Sequence, residues 1–84
     1  MFLRSSRFRK QFKKCSEKVR AKAYERIELL VRNEFDEVLG NHKLSGKYAE
    51  YRSIDVTGDI RIAYKRTAEG FYFAAIGTHS ELYK

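Results

Sequence analysis

His42, Asp59, His79 and Tyr83 are side chains able to move protons or hold a phosphate near one edge of the expected fold, and Arg61 adds a fixed positive charge on its sheet's polar face. Cleavage of an RNA backbone needs little beyond such a set, because the nucleophile is the substrate's own 2′-hydroxyl. A base removes its proton, an acid protonates the leaving 5′-oxygen, and a cation stabilises the crowded phosphorane. Histidine suits either proton role near neutral pH. Each residue also has an ordinary reading. His79 follows Gly77-Thr78 and could close a strand end, Asp59 could serve only a turn, and His42 could cap a preceding helix. Arg61 could partner only Asp55, and Tyr83 could cover a core. Lys43, Lys47 and Arg52 are of the type that positions a nucleic-acid backbone without taking part in chemistry.

The elements that must position these groups centre on Tyr51 to Tyr64. Ile54 and Val56 alternate with Ser53, Asp55 and Thr57, and Ile60, Ile62 and Tyr64 alternate with Arg61 and Ala63, the period of two of half-buried strands. Thr57-Gly58-Asp59 between them reads as a hairpin turn, with Gly58 available for a left-handed conformation. A two-residue loop would set Val56 opposite Asp59 and Ile54 opposite Arg61, mixing apolar and charged side chains. A three-residue loop instead pairs Val56 with Ile60, Ile54 with Ile62 and Arg52 with Tyr64, and is preferred. It leaves Asp55 opposite Arg61 and Ser53 opposite Ala63 on a polar face, with a cross-strand charge pair worth roughly 0.2–1 kcal/mol. After the Thr67–Gly70 turn a third strand, Phe71 to Ile76, brings Gly77, Thr78 and His79 to the end of the sheet.

The first half is helical in pattern. Met1 to Arg4 suits an edge strand. Ser5 or Ser6 suits the N-cap of a helix bearing Phe8, Phe12 and Cys15, with Val19 continuing the stripe. A second helix, from about Ser16 or Glu17 to about Asn33, carries Val19, Ala23, Ile27, Leu30 and Val31 on one stripe. One longer bent helix is the alternative, since no proline separates them. Glu34 to Leu39 could add a turn before a Gly40-Asn41 cap. The expected fold is α+β: a short N-terminal strand and two helices packed on one face of an antiparallel sheet whose last three strands form a meander.

At 84 residues the sequence is expected to form one domain, residues 1–84, burying somewhat over ~60% of its unfolded surface. With one cysteine and two distant histidines it offers no internal disulfide and no familiar zinc spacing, so neither metal nor cofactor is expected. No run is long enough to span a membrane and the first residues lack a secretory apolar core, which implies a cytoplasmic protein without a membrane partner. The net charge of +7 is uneven: residues 1–26 hold ten Lys or Arg against Glu17 and Glu25. Lys10, Lys13 and Lys14 belong to this basic end. Its expected partners are nucleic acid, then an acidic protein segment, then, distantly, an anionic membrane, with a merely solvated helix face as the alternative.

The pattern His42, Leu44, Gly46, Tyr51-Arg52, Asp59, Tyr64-Lys65, Gly77-Thr78-His79 and Tyr83 resembles the RelE/ParE superfamily of toxins from bacterial type II toxin–antitoxin pairs, and within it the YafQ-type mRNA interferases. The resemblance implies a microbial-ribonuclease-like fold that enters the ribosomal A site. There it would contact ribosomal RNA and cut mRNA to leave a 2′,3′-cyclic phosphate or 3′-phosphate and a 5′-hydroxyl. It implies a cognate acidic antitoxin and a toxin that is a monomer when free. His42, Asp59 and His79 stand at positions counted as catalytic in that group, Tyr83 at its substrate-stacking aromatic, and Arg61 at a phosphate-stabilising arginine of the RelE type. Asp55, Ile60 and Ala75 depart from the pattern, standing where such proteins carry a histidine, a tryptophan and an arginine. Those departures keep open a non-catalytic relative, either a ParE-like gyrase inhibitor or an inactive copy, and a plain rRNA-binding module.

Overall fold

Apolar alternation along β3 (Arg52–Asp55), β4 (Ile60–Thr67) and β5 (Gly70–Thr78) makes the antiparallel meander at the centre of the molecule. The computed structural model describes residues 2–83. The hairpin takes the expected register, Ile54 with Ile62, Ser53 with Ala63 and Asp55 with Arg61. Gly58 does not take the expected left-handed conformation, which falls to Gly40, Gly46 and Gly70. The turn closes by other means: the Thr57 hydroxyl accepts from the amides of Asp59 and Ile60 at 3.2 and 3.0 Å, so no residue there needs a positive φ.

Two short strands extend the meander to a five-stranded sheet of order β1-β5-β4-β3-β2. The two-residue β2 (His42–Lys43) joins the β3 edge, and β1 (Phe2–Arg4) runs parallel to β5, so the sheet is mixed instead of purely antiparallel. Met1, the expected start of β1, lies outside the described residues. Between Ala63 and Tyr64 the β4–β5 register shifts, leaving Ala74 as the extra residue of a bulge. Ser5 fastens it, its hydroxyl donating to the Ala74 carbonyl at 2.6 Å and accepting from the Phe8 amide at 2.9 Å.

Ser5 is thus the N-cap of α1 (Ser6–Lys14), and Ser16 caps a separate α2 (Glu17–Arg32), which removes the single bent helix. Both helices cover one face of the sheet. Phe8 is buried between the rings of Phe12 and Phe73, each 5.7 Å away, and Ala23 and Leu30 of α2 are fully buried. Burial of each such large apolar side chain stabilises by roughly 1.5–3 kcal/mol. Val31, expected on the buried stripe, is exposed, because Leu30 takes the inward position. Glu37–Leu39 forms a 3₁₀ turn ending on Gly40, whose φ of 56° is the left-handed cap expected there.

A polar network seals the open end of this layer. The Tyr64 hydroxyl donates to Glu34 Oε2 and accepts from Asn41 Nδ2, both at 2.7 Å, while Asn41 Oδ1 accepts from Arg52 Nε at 2.6 Å and Glu34 Oε1 pairs with Arg66 at 2.8 Å. Burial, reinforced by the Glu34 carboxylate, pushes the Tyr64 phenol up to about 12. Tyr64 therefore stays a neutral donor. Outside, Phe2, Tyr24 and Val31 leave an apolar strip on the helix layer, and Phe2, Tyr24 and Ile27 line a groove of about 290 Å³ with Arg4 at its rim. No helix among the described residues is long and apolar enough to cross a membrane.

Candidate active site

Opposed residues in a sheet share a face, so the register arranges the other face in rows. One row is Asp55, Arg61 and Gly77, and the next is His42, Ser53, Ala63 and Ala75. The expected open polar face is partly covered here. A third helix, α3 (His79–Leu82), which sequence periodicity could not reveal in four residues, seats the buried Leu82 over Ala63 and Ala75, with Leu44 and Tyr83 packed alongside. Ser53 and Ala63 are consequently buried. Among the described residues the hydroxyls of Ser53 and Tyr83 are buried without a hydrogen-bond partner in this layer, against Arg26 Nε of α2 in the opposite one.

α3 begins with a capping box: Thr78 Oγ1 accepts from the Glu81 amide at 3.2 Å and Glu81 Oε1 from the Thr78 amide at 2.7 Å. Gly77 lets it lie close, since a Cβ there would come within 2.9 Å of Glu81 Oε1 and 3.4 Å of Leu82 Cδ2. Arg7 of α1 donates to the Glu81 carbonyl at 3.2 Å and ties the two helices together. This seating puts the exposed His79 edge-on against Tyr83, ring centroids 4.9 Å apart, and Tyr83 edge-on against Tyr48 at 5.7 Å.

The expected residues therefore divide. His79 and Tyr83 are in contact, and Arg61 and His42 occupy adjacent rows of the face they overlie. Arg61 Nε lies 3.3 Å from Asp55 Oδ1, the cross-strand pair expected from the register, and both side chains are partly exposed. The second oxygen of Asp55 lies against Gly40, where a Cβ would collide with it. His42 is exposed on edge strand β2 with Nδ1 3.0 Å from the Gly40 carbonyl oxygen. Asp59 is exposed in the turn, one residue before Ile60, whose cross-strand partner is Thr78. It thus borders the sheet end from which His79 emerges, and its carboxylate has no partner among the described residues.

Lys47 joins the group, its ammonium 5.4 Å from the Tyr48 ring centroid. Lys43 and Arg52 form a pair on the helix-covered face instead, and Arg52 is engaged by Asn41 and by the Phe35 ring, 5.1 Å away. Lys10, Lys13 and Lys14 are exposed on α1, in the opposite layer. Sequence reading missed Tyr48, whose only signal was an aromatic following Gly46-Lys47. Cys15 is half-buried on the α1 side, and burial raises its thiol pKa, partly offset by Arg20. No cluster of three or more His, Cys, Asp or Glu among the described residues could hold a metal ion.

Comparison with known proteins bears on the family and the fold. The family model described as "Bacterial toxin of type II toxin-antitoxin system, YafQ" matches residues 2–84. The crystal structure of YafQ from E. coli superposes with a TM-score of 0.86 at 25% identity, covering 100% of this chain and 98% of that one. YafQ in the E. coli DinJ–YafQ toxin–antitoxin complex gives 0.82 at 26% identity, over 100% and 97%. A YoeB/ParE toxin from Agrobacterium tumefaciens shares the fold, with a TM-score of 0.80 at 17% identity over 93% and 96%. Among curated protein sequences no match is found.

Proposed function

The chain belongs to the YafQ family of toxins from bacterial type II toxin–antitoxin systems, and from that premise we propose that it is an endoribonuclease that cuts mRNA in the ribosomal A site. The observation that carries this reading is the histidine–tyrosine pair of α3, rings 4.9 Å apart, over the sheet face that bears Arg61 and His42. In the reaction the substrate 2′-hydroxyl loses its proton and attacks the adjacent phosphorus. The bond to the 5′-oxygen breaks, and that oxygen takes up a proton to leave as a hydroxyl. His79 exchanges protons with a reacting oxygen, with His42 and Asp59 at the border as candidates for the second transfer. Arg61 stabilises the phosphorane charge, Tyr83 orients the substrate, and Lys47 contacts the RNA backbone.

Primer extension on mRNA from cells expressing the chain should show discrete in-frame cuts, and purified protein with programmed ribosomes should yield 2′,3′-cyclic phosphate ends. His79→Ala should lower cleavage by ~10²–10⁴-fold with the fold intact. Uncut mRNA in growth-arrested cells would reject the reading. A non-catalytic, gyrase-inhibiting role is the second reading, favoured by the ion pair that occupies Arg61 and by the small, buried Ala75.

The same premise implies a cognate antitoxin, acidic to complement a charge of +7. The apolar strip of Phe2, Tyr24 and Val31, flanked by Arg4 and Arg32, suits an amphipathic acidic segment of it. Co-purification of the neighbouring gene product should fall sharply with Tyr24→Asp. Undiminished capture would place that partner elsewhere.

A further inference from the structure

The dipeptides Tyr51-Arg52 and Tyr64-Lys65 divide between the two faces of the sheet. Arg52 and Tyr64 serve the polar network beneath the helices, whereas alternation turns Tyr51 and Lys65 toward the face of Arg61. There Lys65 pairs in register with Tyr72, and its ammonium lies 5.3 Å from the Tyr51 ring centroid and 5.8 Å from that of Tyr72. All three side chains are half-buried, leaving part of each open to solvent. Among the described residues Lys65 has no carboxylate partner. The row lies four residues along β4 from Arg61, about 13 Å at ~3.3 Å per residue. The Ala63–Ala75 row, roofed by Leu82 and Tyr83, lies between them.

A cation flanked by two aromatic rings on an open sheet face has the makings of a nucleotide seat. Bases stack on aromatic side chains of a sheet with little regard to sequence, and an ammonium takes the phosphate as a point charge. An acidic peptide would use the lysine but gain little from two rings. Resting on the nuclease reading, we propose that Tyr51, Lys65 and Tyr72 form a second RNA-binding ledge that holds a nucleotide flanking the scissile bond, base on a tyrosine ring and phosphate at Lys65 Nζ.

The chain has no tryptophan, so Tyr72→Trp places a single reporter on the ledge. In a His79→Ala background, titration with a short single-stranded RNA should quench its emission saturably. A Tyr24→Trp reporter in the helix layer should not respond, and Tyr51→Trp gives a second ledge reporter should the first variant fold poorly. Lys65→Ala should weaken binding and reduce the slope of log affinity against log salt by about one, and Tyr72→Ala should weaken it by about 5- to 100-fold. Absence of quenching at both ledge positions, an unchanged salt slope in Lys65→Ala, or quenching by polyglutamate and not by RNA would overturn the ledge. If the unsubstituted chain cleaves mRNA while neither reporter responds, the ledge alone fails. If the reporters respond and no mRNA is cut, RNA binding at the ledge stands, while the nuclease reading and the ledge's place beside a scissile bond fail together.

Discussion

The two faces of the sheet are built from alternate residues of the same strands, yet they differ in how completely they are satisfied. Beneath α1 and α2, Phe8, Phe71, Phe73 and Tyr64 pack ring against ring, and the Glu34–Tyr64–Asn41–Arg52 network leaves its central groups paired. On the other face, a four-residue helix rests one leucine on two alanines, over two unpaired hydroxyls and beside a partly exposed ion pair. Stability is concentrated on the first face, which frees the second to carry charge and exposed imidazole. Families of substitutions should therefore separate cleanly by face.

The largest stability effect belongs to the helix layer: Phe8→Ala should cost about 3–5 kcal/mol in chemical denaturation, through the lost ring and the cavity it leaves. A cost under ~1 kcal/mol would break the contrast. Leu82→Ala on the other face should cost less, about 2 kcal/mol, and act locally. Amide exchange should quicken in α3 and stay slow in β4 and β5, while toxicity on induction falls because His79 loses its seat.

Tyr64→Phe sharpens the comparison through pH. It takes one partner from Glu34 Oε2 and one from Asn41 Nδ2, which keep Arg66 and the Glu34 carbonyl, and should cost about 1–3 kcal/mol at neutral pH. The folded Tyr64 phenol titrates at about 12, above its ordinary 10.0. Its contribution is thus fully present below pH 10 and is lost as pH rises from there through about 12. Thermal melts across that window should show an alkaline loss that Tyr64→Phe removes. The smallest effect on stability should come from Asp55→Asn, about 0–1 kcal/mol for a partly exposed pair. It should nonetheless tighten RNA binding by freeing the Arg61 charge, and a titration showing weaker binding would mean that Asp55 holds Arg61 in its useful position.

The same contrast explains what could be read from residues alone. The hairpin register followed from keeping Ile54 and Ile62 on one side, and the helix starts to within a residue from Ser5 or Ser6 and from Ser16 or Glu17, because each is decided within a few residues. The α3 roof was not legible: four residues show no period, and without it Ser53 and Ala63 look like an open polar face. Nor was the pairing of β1, whose partner Phe71 lies 69 positions from Phe2. Arg52 shows the limit for the site, since alternation places it opposite Tyr64 but only the fold reveals Asn41 and Phe35 waiting for its guanidinium.

That distant pairing also sets an order of events during synthesis. β1 cannot find its neighbour until β5 has been translated, and α3, which brings His79 to the sheet, is made later still. A nascent chain halted before Gly70 thus carries its basic helices and an unfinished sheet but no assembled histidine–tyrosine pair. The proposed chemistry therefore has no assembled site until α3 has been read.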